Sequence, residues 1–388
     1  MTQQDSTGVA AIFDATLHEA LLARFGATFG RDDTPWRVWP AADAPAALGT
    51  HDILLAEDEP SEDGPAEEAI ARVALAGATL IATEREGGRW IDTVRSPMGT
   101  WVFESQADSD APHSPAFVAV LLAARALHFP AHDALCLARA WRAGEPEWPS
   151  AFQRFPRVRH AALAAPEQLP PPFAPCPADL GLYAVVPTAE WIERLVPLGV
   201  PTVQLRFKSP DGEAVRAEVE RAARAARASA GASSRLFIND HWRVAIELHR
   251  RLGGDSGIYG IHLGQEDLDD ADLDAIRASG LRLGVSTHGY AEMLRVAAIS
   301  PSYLALGAIF PTTTKVMPTA PQGMGRFQAY VKLMQPVMPA LVGIGGVNEG
   351  NLPEVLDVGV RSAAVVRAIT EASDVPAAVA RLKAMFER

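Results

Sequence analysis

The run TVQLRFKSPDGEAVRAEVERAARAARASAGASSRLFIND, residues 202–240, carries two periodicities side by side. TVQLRF (202–207) and RLFIN (235–239) are short, β-branched and aromatic, and read as strands; EAVRAEVERAARAARASA (213–230) between them reads as an amphipathic helix. The same alternation recurs on both sides. LYAVV (182–186), YGIHL (259–263), RLGVS (282–286), YLALGAIF (303–310), ALVGIG (340–345) and AAVVRAI (363–369) are the further strand candidates. Helical stretches separate them, among them DADLDAIRASG (270–280), closed by the C-cap Gly280. Eight strands, each followed by a helix, predict an α/β fold of the (β/α)8 TIM-barrel type over residues 181–388. A doubly wound parallel sheet is the alternative that the pattern leaves open.

Outward from the barrel, composition bounds the rest. A length of 388 residues suggests two domains, and 48% hydrophobic with 21% charged residues is ordinary for a globular chain. The boundary is AALAAPEQLPPPFAPCPADL, residues 161–180, whose six prolines cannot sustain a helix or a central strand and read as a linker. Residues 1–160 then form an N-terminal α/β domain. The net charge of −12 lies wholly in residues 1–180, with 25 acids against 13 bases, while residues 181–388 hold 22 of each. That balance argues against nonspecific nucleic-acid binding and leaves small anions to local sites. No apolar run reaches membrane-spanning length and the N-terminus lacks a signal-peptide pattern, so a cytoplasmic location is expected, without a membrane partner. Two cysteines, Cys136 and Cys176, supply neither a disulfide framework nor a four-cysteine zinc site.

In a (β/α)8 barrel the residues just past each strand's C-terminal end face one mouth. Those residues here are Gln204, Arg206 and Lys208 after strand two, Asn239 and Asp240 after strand three, and Glu266 and Asp267 after strand four. Ser286, Thr287 and His288 follow strand five, Lys315 lies in the loop after strand six, and Gly345 with Gly346 follows strand seven. The chain has only four lysines against 31 arginines, so Lys208 and Lys315 stand out. Carboxylates beside Lys and Arg suit a magnesium-bound diphosphate, and a glycine pair near strands seven and eight suits a terminal phosphate. Each feature has a plainer reading. Asn-Asp is a common helix cap, a glycine pair a common turn, Glu266 a solvated charge, and His262, inside a strand, a packed core histidine.

QLRFK (204–208), INDHWR (238–243), HLGQEDL (262–268), LGVSTH (283–288), PTTTK with PTAPQG (311–323) and IGGV (344–347) together resemble thiamine-phosphate synthase, in order, over residues 181–388. The resemblance implies a TIM barrel that joins hydroxymethylpyrimidine diphosphate to a phosphoethylthiazole, giving thiamine phosphate and pyrophosphate with Mg2+ as cofactor. It places Gln204, Leu205, Arg206, Phe207, Lys208, Asn239, Ser286 and Lys315 at the pyrimidine diphosphate, with Arg206, Lys208, Ser286 and Lys315 catalytic. Asp240 and Asp267 would hold the metal; Thr312, Thr313, Thr314, Gly345, Gly346, Val366 and Arg367 would line the thiazole phosphate site. The partners implied are small phosphorylated substrates, with a homo-oligomer left open. Thiazole tautomerase, on the same barrel, is the enzymatic alternative and needs no diphosphate site; a silent, precursor-binding regulator is the non-enzymatic one. Two departures are Arg367, where the family commonly has serine, and the longer segment HRRLGGDSGIYG (249–260).

In the N-terminal half, residues 74–105 read as strand, turn and strand, and residues 113–144 as two helices joined at FPAHD. This order faintly resembles the C-terminal part of hydroxymethylpyrimidine phosphate kinases of the ribokinase type. APHSPAF lacks the glycines and cysteine of that family's anion hole, with Ser114 at the cysteine's place, and no lysine precedes Lys208. A degenerate, non-catalytic kinase-like remnant is therefore expected.

Overall fold

The computed structural model describes residues 13–57, 65–107, 111–145, 147–159, 170–228, 234–253, 255–312, 320–338 and 340–387; for 65–69 only the backbone is described. By contacts the chain divides into unit 1, Met1–Ala164 with Gly289–Arg295, and unit 2, Ala165–His288 with Val296–Arg388. Among the described residues no helix is long and apolar enough to cross a membrane.

Unit 1 is built on a six-stranded mixed sheet in sequential order. Its strands are β1 (Arg37–Pro40), β2 (Asp52–Glu57), β3 (Thr79–Glu86), β4 (Arg89–Ser96), β5 (Gly99–Gln106) and β6 (Arg157–Val158). β1, β2 and β3 pair in parallel, and β3 to β6 antiparallel. The helices are α1 (Ala15–Phe29), α2 (Pro65–Ala76), α3 (Pro115–Ala126) and α4 (Ala131–Ala140). The expected helix pair is present, whereas the stretch expected as strand, turn and strand holds three strands, β3 to β5. Gly87 and Gly88, at φ 55° and 80°, make the tight β3–β4 turn. Apolar almost throughout, α3 is buried on nearly every side, and Ser114 caps it by accepting from Phe117 N at 3.2 Å. Asp92 on β4 receives Arg139 Nε at 2.8 Å and Thr83 Oγ1 at 2.7 Å, so this buried carboxylate is paired. At the other end of α4, Asp133 accepts from Ala291 N at 2.8 Å, and Trp148 Nε1 donates to Tyr290 Oη at 2.9 Å.

Unit 2 holds a closed eight-stranded barrel. The strands are β7 (Gly181–Val186), β8 (Thr202–Leu205), β9 (Arg235–Asn239), β10 (Ile258–Gly264), β11 (Arg282–Thr287), β12 (Tyr303–Leu306), β13 (Leu341–Ile344) and β14 (Ser362–Val365). All eight pairings are parallel, and β14 closes on β7 with Ser362 opposite Gly181. Every strand is followed by a helix, as parallel pairing requires. Large and small residues interlock inside. A Cβ at Gly284 would lie 2.0 Å from the Tyr303 ring, and one at Gly260 2.5 Å from Phe237. With Tyr183, Val185 and Val342, these rings fill the barrel's interior.

Three boundaries differ from the sequence expectation. YLALGAIF pairs as a strand only to Leu306; beyond it, Ile309 N and Phe310 N donate to Ile344 O and Gly345 O, each at 3.0 Å. AAVVRAI leaves the sheet at Val365, and Arg367–Thr370 turns helical because Thr370 N donates back to Val366 O. The proline-rich stretch is not linker throughout. Residues 161–169 lie outside the described residues, but Phe173 is buried, its N–H bonds Ser300 O at 3.0 Å, and Arg277 stacks on its ring. Pro175 O accepts from Arg282 Nε, and Cys176 packs on the barrel's core, so this segment belongs to the barrel.

Candidate active site

Seven of the eight strands, with Gly307 and Ala308 just past β12, line one cavity of about 480 Å3 at the strands' C-terminal ends. Alternation along β8 and its extension decides which cations enter. Gln204, Arg206 and Lys208 line the cavity, whereas the side chains of Leu205 and Phe207 do not. Leu205 is buried in the core, and Phe207 contributes its carbonyl, 2.9 Å from His241 Nε2. Of the segment Gln204–Lys208 expected at the pyrimidine diphosphate, these two residues are not among those that line the cavity.

Past β9, Asp240 sits at φ 62°, a left-handed conformation unusual outside glycine and best tolerated by Asp and Asn. Its N–H is held by His262 O at 3.0 Å, and its carboxylate forms an ion pair with Lys208. After β10 the chain makes a 3-10 turn, Gln265–Asp269, in which Asp267 Oδ2 accepts from Gly264 N at 2.9 Å. Burial raises the Asp267 pKa above its ordinary value, and the charges of Asp240 and Glu266 push the same way against the Gly264 bond and Lys208. Crowded carboxylates of this kind favour a bound cation. Among the described residues no three metal-ligating side chains cluster, but Mg2+ is commonly held by one or two carboxylates plus substrate phosphates and water. Asp240 and Asp267 fit that requirement.

On the opposite wall, Gly345 and Gly346 take φ values of 96° and 70°. A Cβ at Gly345 would lie 2.4 Å from Ala308 Cα, and one at Gly346 2.7 Å from Phe310 Cβ. Glycine is thus needed both for conformation and for the close approach of the β12 loop. Gly346 O is held by Asn348 Nδ2 at 3.2 Å and Asn351 Nδ2 at 3.1 Å, which fixes the turn. Val366 and the exposed Arg367 complete this side, with Thr312.

Of the residues expected at the site, the cavity brings together Gln204, Arg206, Lys208, Asn239, Asp240, Asp267, Ser286, Thr312, Gly345, Gly346, Val366 and Arg367. Thr313, Thr314 and Lys315 lie outside the described residues. His262, more simply read as a core residue, is buried and also lines the cavity. Its phase was the available signal, since it shares the inward face of β10 with Gly264. Asn348 and Glu371 also line the cavity and carried no sequence signal, lying beyond the strand ends.

A family model described as "Thiamine monophosphate synthase" matches residues 182–369. A thiamine-phosphate synthase of Neisseria meningitidis serogroup B is 51% identical over 215 residues, covering 55% of this chain and 98% of that protein. One from Pectobacterium atrosepticum is 50% identical over 216 residues, 56% of this chain and 96% of its own length. Among solved structures, a thiamine phosphate pyrophosphorylase from Pyrococcus furiosus is 25% identical, with a TM-score of 0.44, over 54% of this chain and 96% of its own. The relatives described here correspond to little more than half of this chain.

Proposed function

The chain belongs to the thiamine-phosphate synthase family, and on that premise we propose how its barrel performs that family's reaction, the joining of an aminopyrimidine methyl diphosphate to a phosphoethylthiazole. The carbon–oxygen bond to the diphosphate breaks, the diphosphate leaves with the electron pair, and the ring amino group delocalises the resulting cation. The thiazole nitrogen then supplies the lone pair for the new bond. No covalent nucleophile is needed. The barrier is charge separation, and electrostatic stabilisation of the leaving diphosphate is where the protein acts.

The observation that carries this reading is the meeting of Arg206, Lys208, Asp240 and Asp267 on one side of a cavity whose other side is the Gly345–Gly346 turn. Arg206 and Lys208 bind the diphosphate, and Lys315 joins them by the family pattern. Asp240 and Asp267 hold Mg2+, which when bound neutralises diphosphate charge. Gln204, Asn239 and Ser286 orient the pyrimidine. The open backbone of Gly345 and Gly346, with Thr312, Val366 and Arg367, receives the thiazole phosphate, and Thr313 and Thr314 follow by the same pattern. Holding the two rings in line and excluding water protects the cation from hydrolysis.

The test is the purified full chain with both precursors and Mg2+, measuring thiamine phosphate and pyrophosphate. Equal release of the two is expected. Pyrophosphate without thiamine phosphate, or neither product, would overturn the reading.

A further inference from the structure

Beneath the cavity a line of buried polar side chains crosses the barrel. Gln204 Nε2 donates to Tyr183 Oη at 3.0 Å, Tyr183 Oη lies 2.7 Å from Tyr303 Oη, and Tyr303 Oη lies 2.6 Å from His262 Nδ1. His262 Nε2 is 2.7 Å from Ser286 Oγ, which lines the cavity. Tyr183 and Tyr303 are 1% and 0% exposed, so an unshared proton there is costly. Burial raises the pKa of both phenols, which stay protonated.

Each hydroxyl has one proton to give, and that fixes a direction. The Gln204 amide nitrogen can only donate, so Tyr183 accepts from it and passes its own proton to Tyr303. Tyr303 then donates to His262 Nδ1, which is left bare, and the neutral ring carries its proton on Nε2 and donates to Ser286 Oγ. The Ser286 proton remains for the cavity. Reversing the Tyr183–Tyr303 bond would leave the Tyr183 proton without an acceptor in this chain of bonds. We propose that Tyr183, Tyr303 and His262 are positioning residues that hold Ser286 as a hydrogen-bond donor toward the cavity, where it recognises a ring nitrogen of the aminopyrimidine. The ligand named rests on the function proposed above; the proton order does not.

The proton order is read first, by 15N spectra of the full chain labelled at histidine. His262 is expected neutral with its proton on Nε2, and a proton on Nδ1 overturns the inference because Ser286 would then be an acceptor. Tyr303→Phe removes one hydroxyl with little change in shape, and is expected to mix the His262 tautomers. It should lower kcat/KM for the pyrimidine diphosphate about tenfold, the effect of one lost hydrogen bond, while KM for the thiazole phosphate stays unchanged. Tyr183→Phe serves as the second variant, with a smaller loss of the same kind. Substrate analogues with CH in place of either ring nitrogen complete the test. One of the two should be penalised by the wild type and not by Ser286→Ala. Equal penalties in both proteins overturn the donor assignment. A wild type that makes no thiamine phosphate, yet carries the His262 proton on Nε2, refutes the proposed function and the ligand while the proton order stands.

Discussion

Asp240 and Asp267 reach the cavity by different local devices, one a left-handed backbone and the other a 3-10 turn tied to Gly264 N. If both hold the metal that neutralises the diphosphate, Asp240→Asn and Asp267→Asn each remove one charge at the point where charge develops. Each should lower turnover about a hundredfold, on the order of 3 kcal/mol, at saturating Mg2+. Thermal unfolding should stay close to wild type, separating a site effect from a folding one; near-normal rates in both variants would refute the assignment. Lys315 is assigned by family pattern to the same diphosphate. Lys315→Ala should reduce kcat more than it raises KM for the thiazole phosphate, because the ammonium matters most as the diphosphate leaves. A change confined to thiazole affinity would move the lysine to the other phosphate.

At the scale of elements, a half-buried histidine sits beside the β3–β4 pair and the start of α3. His113 Nε2 lies 2.8 Å from Thr83 Oγ1, and burial, with Arg139 adding to it and Asp92 opposing, lowers its pKa to about 4 from 6.5. A folded-state value below the unfolded one means that the unfolded chain takes up the proton first as pH falls. The stability is therefore whole above pH 6.5, is lost progressively between 6.5 and 4, and reaches its full loss below 4. The two and a half pKa units set that loss at roughly 3 kcal/mol for unit 1. Six of the eight tryptophans precede the proline-rich stretch, so urea unfolding followed by tryptophan fluorescence reports mainly on this region. Comparison of wild type with His113→Asn at pH 7 and pH 4.5 isolates the contribution. A pH slope unchanged by the substitution would show that other groups cause it.

For the whole molecule, the corrected boundary changes where the barrel can be cut. Phe173, Pro175 and Cys176 all bind the barrel, so a fragment starting at Ala178 loses a buried ring and two backbone bonds. Burying a phenylalanine contributes about 1.5–3 kcal/mol, so residues 170–388 should unfold measurably later than residues 178–388. The assigned site residues all lie within unit 2. Residues 170–388 should therefore make thiamine phosphate within a few-fold of the full chain. They lack Asp133 and Trp148, the partners of Ala291 and Tyr290 in unit 1, so reduced solubility is the expected penalty. A soluble, folded and inactive fragment would show that residues before 170 are needed for catalysis.

Eight strands and the phase of Gln204, Arg206 and Lys208 were legible in the sequence because β-periodicity and βα alternation are local properties, carried by neighbouring side chains. The same strand alternation keeps Leu205 and Phe207, within the QLRFK segment expected at the pyrimidine diphosphate, out of the cavity lining. What the sequence could not decide depends on partners distant along the chain. YLALGAIF stops pairing at Leu306 because Ile344 and Gly345 capture its backbone, and the segment after residue 170 is held where Phe173 meets Ser300 and Arg277 and Pro175 meets Arg282. The role of His262 needed Tyr303 and Ser286, 41 and 24 residues away, to be brought to its two nitrogens. A residue's type and phase are written locally; the partner that gives it a proton, or takes one, is chosen only when the barrel closes.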